Sequence, residues 1–380
     1  MKAPRAKVGV DLSPIGFRSR APGTATHVEN QVQALLALEV EWDWVLVATP
    51  RALAEAPFFR SFDPILSSDA PLTYHVCLSL GRIWAKTRCD LGLATAFFVP
   101  FTGPPVVTNY FDANAQHSVR DYRNLNERLK WHALQRLCRF SRNRSRALFT
   151  LSNYARSVMA TADPANAHKW VVTPCGCPPL DEQPEASPVW AKQLNGKSFI
   201  LYAGAISENK NQRRLIEAWD KLRRRYDSFP ALVLIGPSPA NYMREVIQPH
   251  RSKVAYPEEL VIPGFVSKQD VTWAFYNAHS YIQPSFAEGF GMPVIEAMSC
   301  GVPVACSDST SLPEVAGDAA IFFDPSDVNS IANTLETLIL DKQKREVLKE
   351  RGLKRAELFT WKQHAETVAQ TIRQQLNSAR

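Results

Sequence analysis

The sequence predicts an α/β chain built from two doubly wound, parallel-sheet domains in succession. Three observations predict it. Short apolar runs alternate with amphipathic helical segments along most of the chain, which is the order expected of a parallel sheet covered by helices on both faces. A break poor in periodicity and rich in proline, between Cys175 and Lys197, is followed by a restart of the same alternation. The chain also has 380 residues, 45% of them hydrophobic, more than the roughly 250–300 residues that one core usually serves.

The elements follow in order. Residues 7–11, Lys-Val-Gly-Val-Asp, read as a buried strand. A loop over 14–24 contains Gly16, Pro22 and Gly23, and a helix over 26–38 follows, with Val28, Val32, Leu35 and Leu36 at helical spacing. Strand, loop and helix make the opening of a βαβ unit. Further strands are expected at 44–48, 91–94, 106–108 and 147–150, with a long amphipathic helix over 124–140. Ser152 is placed to cap the next helix.

Beyond the break, strands are expected at 199–203, 232–235, 260–262, 280–284 and 302–305. Helices are expected at 212–224, 268–276 and 293–299, and the tail from Asp327 is helical with an interruption around Phe359–Trp361. These bounds give an N-terminal domain over 1–180, a linker over 181–197 and a second domain over 198–358. The closing segment 359–380 is expected to pack back on the first domain. A cleft is expected between the two halves.

Bulk composition narrows the class. A net charge of +7 fits attraction to an anionic surface, lipid or nucleotide and selects none of them. Residues 1–7 are short and basic, and Val8–Val10 is too brief for a signal core, so no secretory signal is read. No apolar run reaches the roughly 18 residues of a membrane span. The seven cysteines are scattered, and Cys175 and Cys177 lack the second pair that would complete a metal site. A reduced, cytoplasmic protein is expected. No basic–aromatic nucleic-acid module is present.

The most informative segment is Pro284-Ser-Phe-Ala-Glu-Gly-Phe-Gly-Met-Pro-Val-Ile-Glu-Ala-Met298. It follows an expected strand and opens an expected helix. Gly289 and Gly291 permit close backbone approach, and Pro293 suits a first helical turn. Free amides at such a helix start can bind phosphate oxygens. Glu296 is expected in the first turn, favoured there by the helix dipole and able to accept hydroxyl hydrogen bonds. Glu288 lies before the helix, so the two carboxylates reach different parts of one ligand. The bland alternative is a glycine-rich turn with two solvated glutamates. Spacing alone would not exclude it, but both glycines, Pro293 and the following Cys300-Gly-Val-Pro-Val304 weigh against it.

With its Glu-x7-Glu spacing this segment resembles the retaining GT-B glycosyltransferases of family 4, and within them bacterial mannosyltransferases and related polysaccharide enzymes. The resemblance continues through Ser311-Leu-Pro-Glu-Val-Ala-Gly-Asp-Ala-Ala320, is close over most of 198–330, and is loose in the first half. It implies the GT-B architecture, two Rossmann-like domains facing a central cleft. It implies that Glu296 binds ribose hydroxyls, that Glu288 contacts the donor sugar, and that the amides of Gly289, Phe290, Gly291 and Met292 hold sugar and diphosphate. No cofactor or metal is implied. The donor would be a nucleotide-diphosphate sugar, with GDP-mannose the first guess, and the acceptor a saccharide or lipid-linked saccharide.

Other positions carry weaker signals. Gly204-Ala-Ile-Ser-Glu-Asn-Lys-Asn211 lies between a strand and a helix. A lysine there would neutralise a leaving diphosphate, although from spacing alone an ordinary exposed lysine in a polar loop is the better reading. The family has Arg-Lys-Asn here, so Lys210 matches, and Asn209 stands in the arginine's place. Arg213 or Arg214 is the candidate substitute. Gly264, Phe265 and Val266 match a turn that in the family receives the base, and Gly23 matches a glycine facing the diphosphate. The family also has a His-Asp pair near the reacting sugar carbon. Asp112 matches the aspartate, but Phe111 stands in place of the histidine, and no motif brings His117 to the site. Arginines from Arg136 to Arg146 lie on or after an amphipathic helix, giving either a peripheral contact with the inner face of a membrane or a solvated helix end.

The resulting expectation is hexose transfer with retention, retention being implied by the resemblance alone. Lys210, Glu288 and Asp112 are the candidate catalytic residues. Rival readings are a sugar-nucleotide epimerase or hydrolase on the same architecture, or a catalytically silent sugar-nucleotide-binding protein. A nicotinamide dehydrogenase is disfavoured, because Gly289-Phe-Gly-Met-Pro-Val294 lacks the last glycine of GxGxxG.

Overall fold

The computed structural model describes residues 5–18, 22–69, 71–111, 125–177 and 183–378. The chain divides into two compact units. The first comprises residues 1–176 together with 361–380, and the second residues 177–360.

Among the described residues the first unit holds a seven-stranded, wholly parallel sheet. Its strands are β1 (Ala6–Asp11), β2 (Trp42–Ala48), β3 (Ile65–Leu66), β4 (Leu91–Ala94), β5 (Val106–Asn109), β6 (Ser145–Thr150) and β7 (Trp170–Val172), in the order β3-β2-β1-β4-β5-β6-β7. The central strands are apolar on both faces, as strands covered on both sides must be. Gly9 of β1 and Gly92 of β4 make room for the buried Trp84 indole. A Cβ at either position would lie 2.3 Å or 2.2 Å from that ring.

The last helix, Trp361–Asn377, is part of this unit: Ala365, Val368, Ala369 and Ile372 pack into the cluster that includes Val8, Val10, Leu35 and Leu46. The first helix runs over Pro22–Leu36 and so begins earlier than the apolar spacing indicated. Ser152 caps the Asn153–Ala162 helix, accepting from the Ala155 amide at 3.1 Å.

In the second unit β8 (Phe199–Ala203), β9 (Ala231–Ile235), β10 (Leu260–Gly264), β11 (Ser280–Gln283), β12 (Val304–Ser307) and β13 (Ala320–Phe323) form a parallel sheet in the order β10-β9-β8-β11-β12-β13. The helix Gln212–Arg225 buries Leu215, Ile216, Trp219 and Leu222 against it, and Trp219 donates its ring N–H to Pro230 O at 2.9 Å.

The segment expected to be linker is partly structured here. Trp190 is buried, with its ring edge-on to Trp273 (5.7 Å) and Phe199 (6.2 Å). Burying a large aromatic outweighs the proline-rich composition of its surroundings.

Candidate functional site

The strand order of the second sheet reverses between β8 and β11. Open α/β sheets take their ligands outside the carboxyl ends of the strands at such a point. The two loops that leave β8 and β11 there are 204–211 and 284–291, the two segments singled out from the sequence.

Lys210 and Glu288 meet at this place. The lysine ammonium lies 2.7 Å from Glu288 Oε2, with the side chains 24% and 11% exposed. The carboxylate is held from its other side as well: Oε1 accepts from Gln283 Nε2 at 2.8 Å and from Ser285 Oγ at 2.7 Å. Gln283 is itself oriented, because its Oε1 accepts from the Tyr281 hydroxyl. The Glu288 amide donates to Thr310 Oγ1 at 2.9 Å, and Ser311 Oγ donates to Glu288 O at 2.9 Å. Burial pushes the Tyr281 and Tyr202 hydroxyls far above their ordinary range, so both remain neutral donors. Glu288 is thus fixed in position, while Lys210 is a cation with part of its surface open to a ligand.

The two loops are tied together. Asn209 Nδ2 donates to Ala287 O at 2.9 Å, and the Phe286 amide donates to Asn209 O at 2.9 Å. Asn211 takes a left-handed backbone (φ +61°) and spends its side-chain amide on Pro284 O and Pro325 O. Asn209 therefore fastens one loop to the other. Of the candidate substitutes for the family arginine, Arg213 pairs with Glu217 at 2.9 Å. Arg214 lies over the Phe286 ring, 5.2 Å from its centroid.

The helix Met292–Ser299 opens from Gly291, whose φ is +98°. Pro293 lacks an N–H, and the Val294 amide donates to Gly291 O at 2.9 Å, so neither of these two positions offers an amide to an anion. Starting at Met292, the helix places Glu296 as its fifth residue, beyond the first turn expected from the sequence. The dipole falls off within one turn and does not govern this carboxyl group. Desolvation does, pushing its pKa up to about 7 against the opposing pull of the Lys268 charge. The residue as a whole keeps some exposed surface even though its carboxyl group sits deep.

Residues 187–355 match the family model for glycosyl transferases group 1. The second unit is a group 1 glycosyltransferase domain. Among curated proteins, the chain is 34% identical over 225 residues to O-antigen chain mannosyltransferase B of Escherichia coli, covering 57% of this chain and 58% of that one. The chain thus spans little more than half the length of this relative. Two solved structures share the fold across nearly the whole chain. One is sucrose-phosphate synthase from Thermosynechococcus elongatus, with a TM-score of 0.69 at 17% identity, covering 98% of this chain and 100% of that one. The other is Anabaena HepE in complex with UDP and glucose, with a TM-score of 0.71 at 16% identity, covering 97% and 99%. The two Rossmann-like parallel-sheet units are those of the GT-B fold, and the glycosyltransferase domain groups with the family-4-like enzymes that its Glu-x7-Glu segment resembles.

In the glycosyltransferase domain, Gly204, Gly236 and Gly264 end β8, β9 and β10 side by side, linked by Gly204 N–H to Ile235 O and Gly236 N–H to Gly264 O, both at 2.9 Å. At Gly236 (φ +144°) a Cβ would lie 1.9 Å from Gly204 O. Beyond Gly264, Phe265 is exposed. Val266 lines a cavity of about 530 Å³ with Pro263, Pro184, Pro188 and Trp190. No cluster of three His, Cys, Asp or Glu among the described residues is placed to hold a metal ion.

In the first unit, Gly23 is the second residue of the Pro22–Leu36 helix rather than a loop glycine. It is exposed, with open space where a Cβ would be. Asp112 and His117 lie outside the described residues, whereas Phe111 is buried. The arginine stretch divides. Arg142 is buried and bound to Asp163 Oδ2 at 2.6 Å and the Tyr110 hydroxyl at 3.0 Å. Arg144 donates to Pro100 O, Gly103 O and Pro104 O, and Arg146 to Gln375 O. Arg136 and Arg139 stay exposed. No helix among the described residues is long and apolar enough to cross a membrane.

Sequence reasoning missed Gln283, Ser285, Thr310 and Ser311, which hold Glu288. The available signal was Gln283, a polar residue ending β11, a strand buried at all four positions.

Proposed function

We propose that the chain transfers a hexose, mannose first, from a nucleotide-diphosphate sugar to a saccharide or lipid-linked saccharide acceptor hydroxyl in polysaccharide biosynthesis. One observation carries this reading: a partly open lysine ammonium beside a rigidly held carboxylate, at the switch point of a glycosyltransferase-domain sheet. The Escherichia coli relative, a mannosyltransferase by name, supports mannose.

The chemistry places Lys210 against the leaving diphosphate, where negative charge grows as the glycosidic bond breaks. The amides ahead of Pro293 share that charge. Before a donor binds, Glu288 satisfies Lys210. A diphosphate then competes for the same ammonium, and Glu288 is left to accept hydrogen bonds from sugar hydroxyls. Glu296, when ionised, accepts from the ribose hydroxyls. The bond to the anomeric carbon breaks, the acceptor oxygen forms the new bond on the same face, and the acceptor proton passes to a leaving phosphate oxygen. Peripheral membrane contact, if it accompanies a lipid-linked acceptor, falls to Arg136 and Arg139 beside the exposed Leu129, Leu134 and Phe140.

A thermal-shift panel of sugar nucleotides, followed by product analysis with and without saccharide acceptors, tests the proposal. GDP-mannose should raise the melting temperature, and an elongated saccharide should form only with acceptor present. Free sugar or an epimerised nucleotide sugar formed without acceptor supports the hydrolase or epimerase instead. Donor binding with no turnover supports a silent binding protein.

A further inference from the structure

Gln283 is a polar residue where the second unit could have used an apolar one. It closes β11, a strand buried at all four positions, and its partner across the sheet in β12 is Cys306. An apolar side chain would meet that burial with no polar group to desolvate. The carboxamide is instead fully used. Its Oε1 accepts from the Tyr281 hydroxyl, and its Nε2 donates to Ser285 Oγ and to Glu288 Oε1, both at 2.8 Å. An ionised carboxylate only accepts hydrogen bonds, so the amide nitrogen faces Glu288 and the amide oxygen is left to Tyr281.

The two oxygens of Glu288 are held in different ways. Oε1 accepts from two neutral donors anchored to the sheet, Gln283 Nε2 at 2.8 Å and Ser285 Oγ at 2.7 Å. Tyr281 orients the first of these, and its hydroxyl also lies 3.4 Å from Ala203 O at the end of β8. The second stands on backbone tied to β12, because Ser307 Oγ donates to Ser285 O at 2.7 Å. Oε2 faces the Lys210 ammonium, which comes from the separate 204–211 loop. A diphosphate that takes the ammonium removes the bond to Oε2 and leaves both bonds to Oε1.

A carboxylate anchored through one oxygen keeps its place when the other is vacated. One held by the lysine alone would follow the ammonium and be aimed at nothing once the diphosphate arrives. Groups that contact a ligand are precise only when the residues behind them lock their orientation. We propose that Gln283 is a positioning residue for the transfer reaction: it holds Glu288 Oε1 so that Oε2, once Lys210 turns to the diphosphate, stays aimed at a hydroxyl of the donor sugar. Gln283 acts through Glu288 and touches no substrate itself. This role rests on the glycosyltransferase reading above.

The test uses the full chain. Gln283→Met keeps the length and shape of the side chain and removes its donors. Tyr281→Phe removes the hydroxyl that orients the carboxamide. The kcat/KM for GDP-mannose is read as GDP released with methyl α-mannoside as acceptor, and the affinity for GDP is measured by calorimetry. Gln283→Met should lower kcat/KM about tenfold or more, the loss expected for a hydrogen bond to a charged group. GDP has no sugar for Glu288 to meet, so its affinity should hold within about twofold. Tyr281→Phe should act in the same direction by about threefold, because the carboxamide is still present but free to turn. Each substitution is then combined with Glu288→Ala. If Gln283 works through Glu288, adding Gln283→Met in that background changes kcat/KM by less than about twofold. Where turnover is too low to follow, the ratio of GDP-mannose to GDP affinity is compared in the same way.

The proposal is overturned if Gln283→Met leaves kcat/KM within twofold, if the GDP affinity falls along with it, or if the loss is equally large in the Glu288→Ala background. Those are the results for a side chain that only fills the end of β11. Should Gln283→Met fail to fold, Tyr281→Phe decides by the same comparison. If no sugar nucleotide binds the unaltered protein, the glycosyltransferase reading itself has failed and this role with it. Donor binding and turnover that ignore both substitutions remove the role alone.

Discussion

Replacing Lys210 with methionine tests the charge in the switch-point site with least change in shape. The ammonium lies 2.7 Å from Glu288 Oε2 and is partly exposed. At an effective dielectric near 20, a unit charge about 4 Å from a phosphate oxygen contributes about 4 kcal/mol. Part of that is offset by the contact with Glu288 that the diphosphate must displace. Donors aimed at developing charge typically contribute 10²–10³ in kcat, which is about 3–4 kcal/mol. Lys210→Met should therefore lower kcat by about 10²–10³ at saturating donor, read as nucleoside diphosphate released per second. Folding should suffer little, because Glu288 keeps its bonds from Gln283 and Ser285 and loses about 1 kcal/mol of support. A kcat within threefold of the unaltered protein, with donor saturation confirmed, would refute the role of this charge.

Three other outcomes follow from the same geometry. Glu296 has its carboxyl pKa raised to about 7 in the folded chain, so between the unfolded carboxyl pKa and pH 7 the native state holds the extra proton and stability falls as pH rises. Glu296→Gln should raise the melting temperature at pH 8 and leave it nearly unchanged at pH 5, while weakening the nucleotide; equal effects at both pH values would contradict the desolvated carboxyl group. Gly236→Ala drives a Cβ to 1.9 Å from Gly204 O at a φ of +144°, and should cost about 3 kcal/mol in denaturant unfolding. Arg142→Ala removes a 2.6 Å pair and leaves the Asp163 charge with only the Asn166 amide, and should destabilise by about 3 kcal/mol, whereas Arg136→Ala should leave unfolding within about 0.5 kcal/mol.

The sequence made the strand–helix alternation legible because buried parallel strands read as short apolar runs. It also made legible the glycine-rich turn after β11, because few side chains fit Gly291 at a φ of +98°. It did not reveal β3, β7 or β13, at two, three and four residues. Runs of two or three residues carry no periodicity of their own, and their pairing is set by the neighbouring strand; β13 is no shorter than the β11 and β12 runs that were read, so length does not explain its omission. Glu296 was singled out but placed one helical position too early, because Pro293 fits the second helical position as well as the first. The hydrogen bonds that hold Glu288 were not visible either. Thr310 and Ser311 come from a different loop, more than twenty residues away. Nor could the arginine stretch show that Arg142 spends its charge on Asp163, twenty-one residues on.

A crystal structure of the chain with GDP bound bears most directly on the assigned pocket. The expected density has the diphosphate between the Lys210 ammonium, released from Glu288, and the amides ahead of Pro293, with the Glu296 carboxylate in hydrogen-bond contact with the ribose. Nucleotide density at any other place, or a diphosphate bound with the Lys210–Glu288 pair still closed, would contradict it.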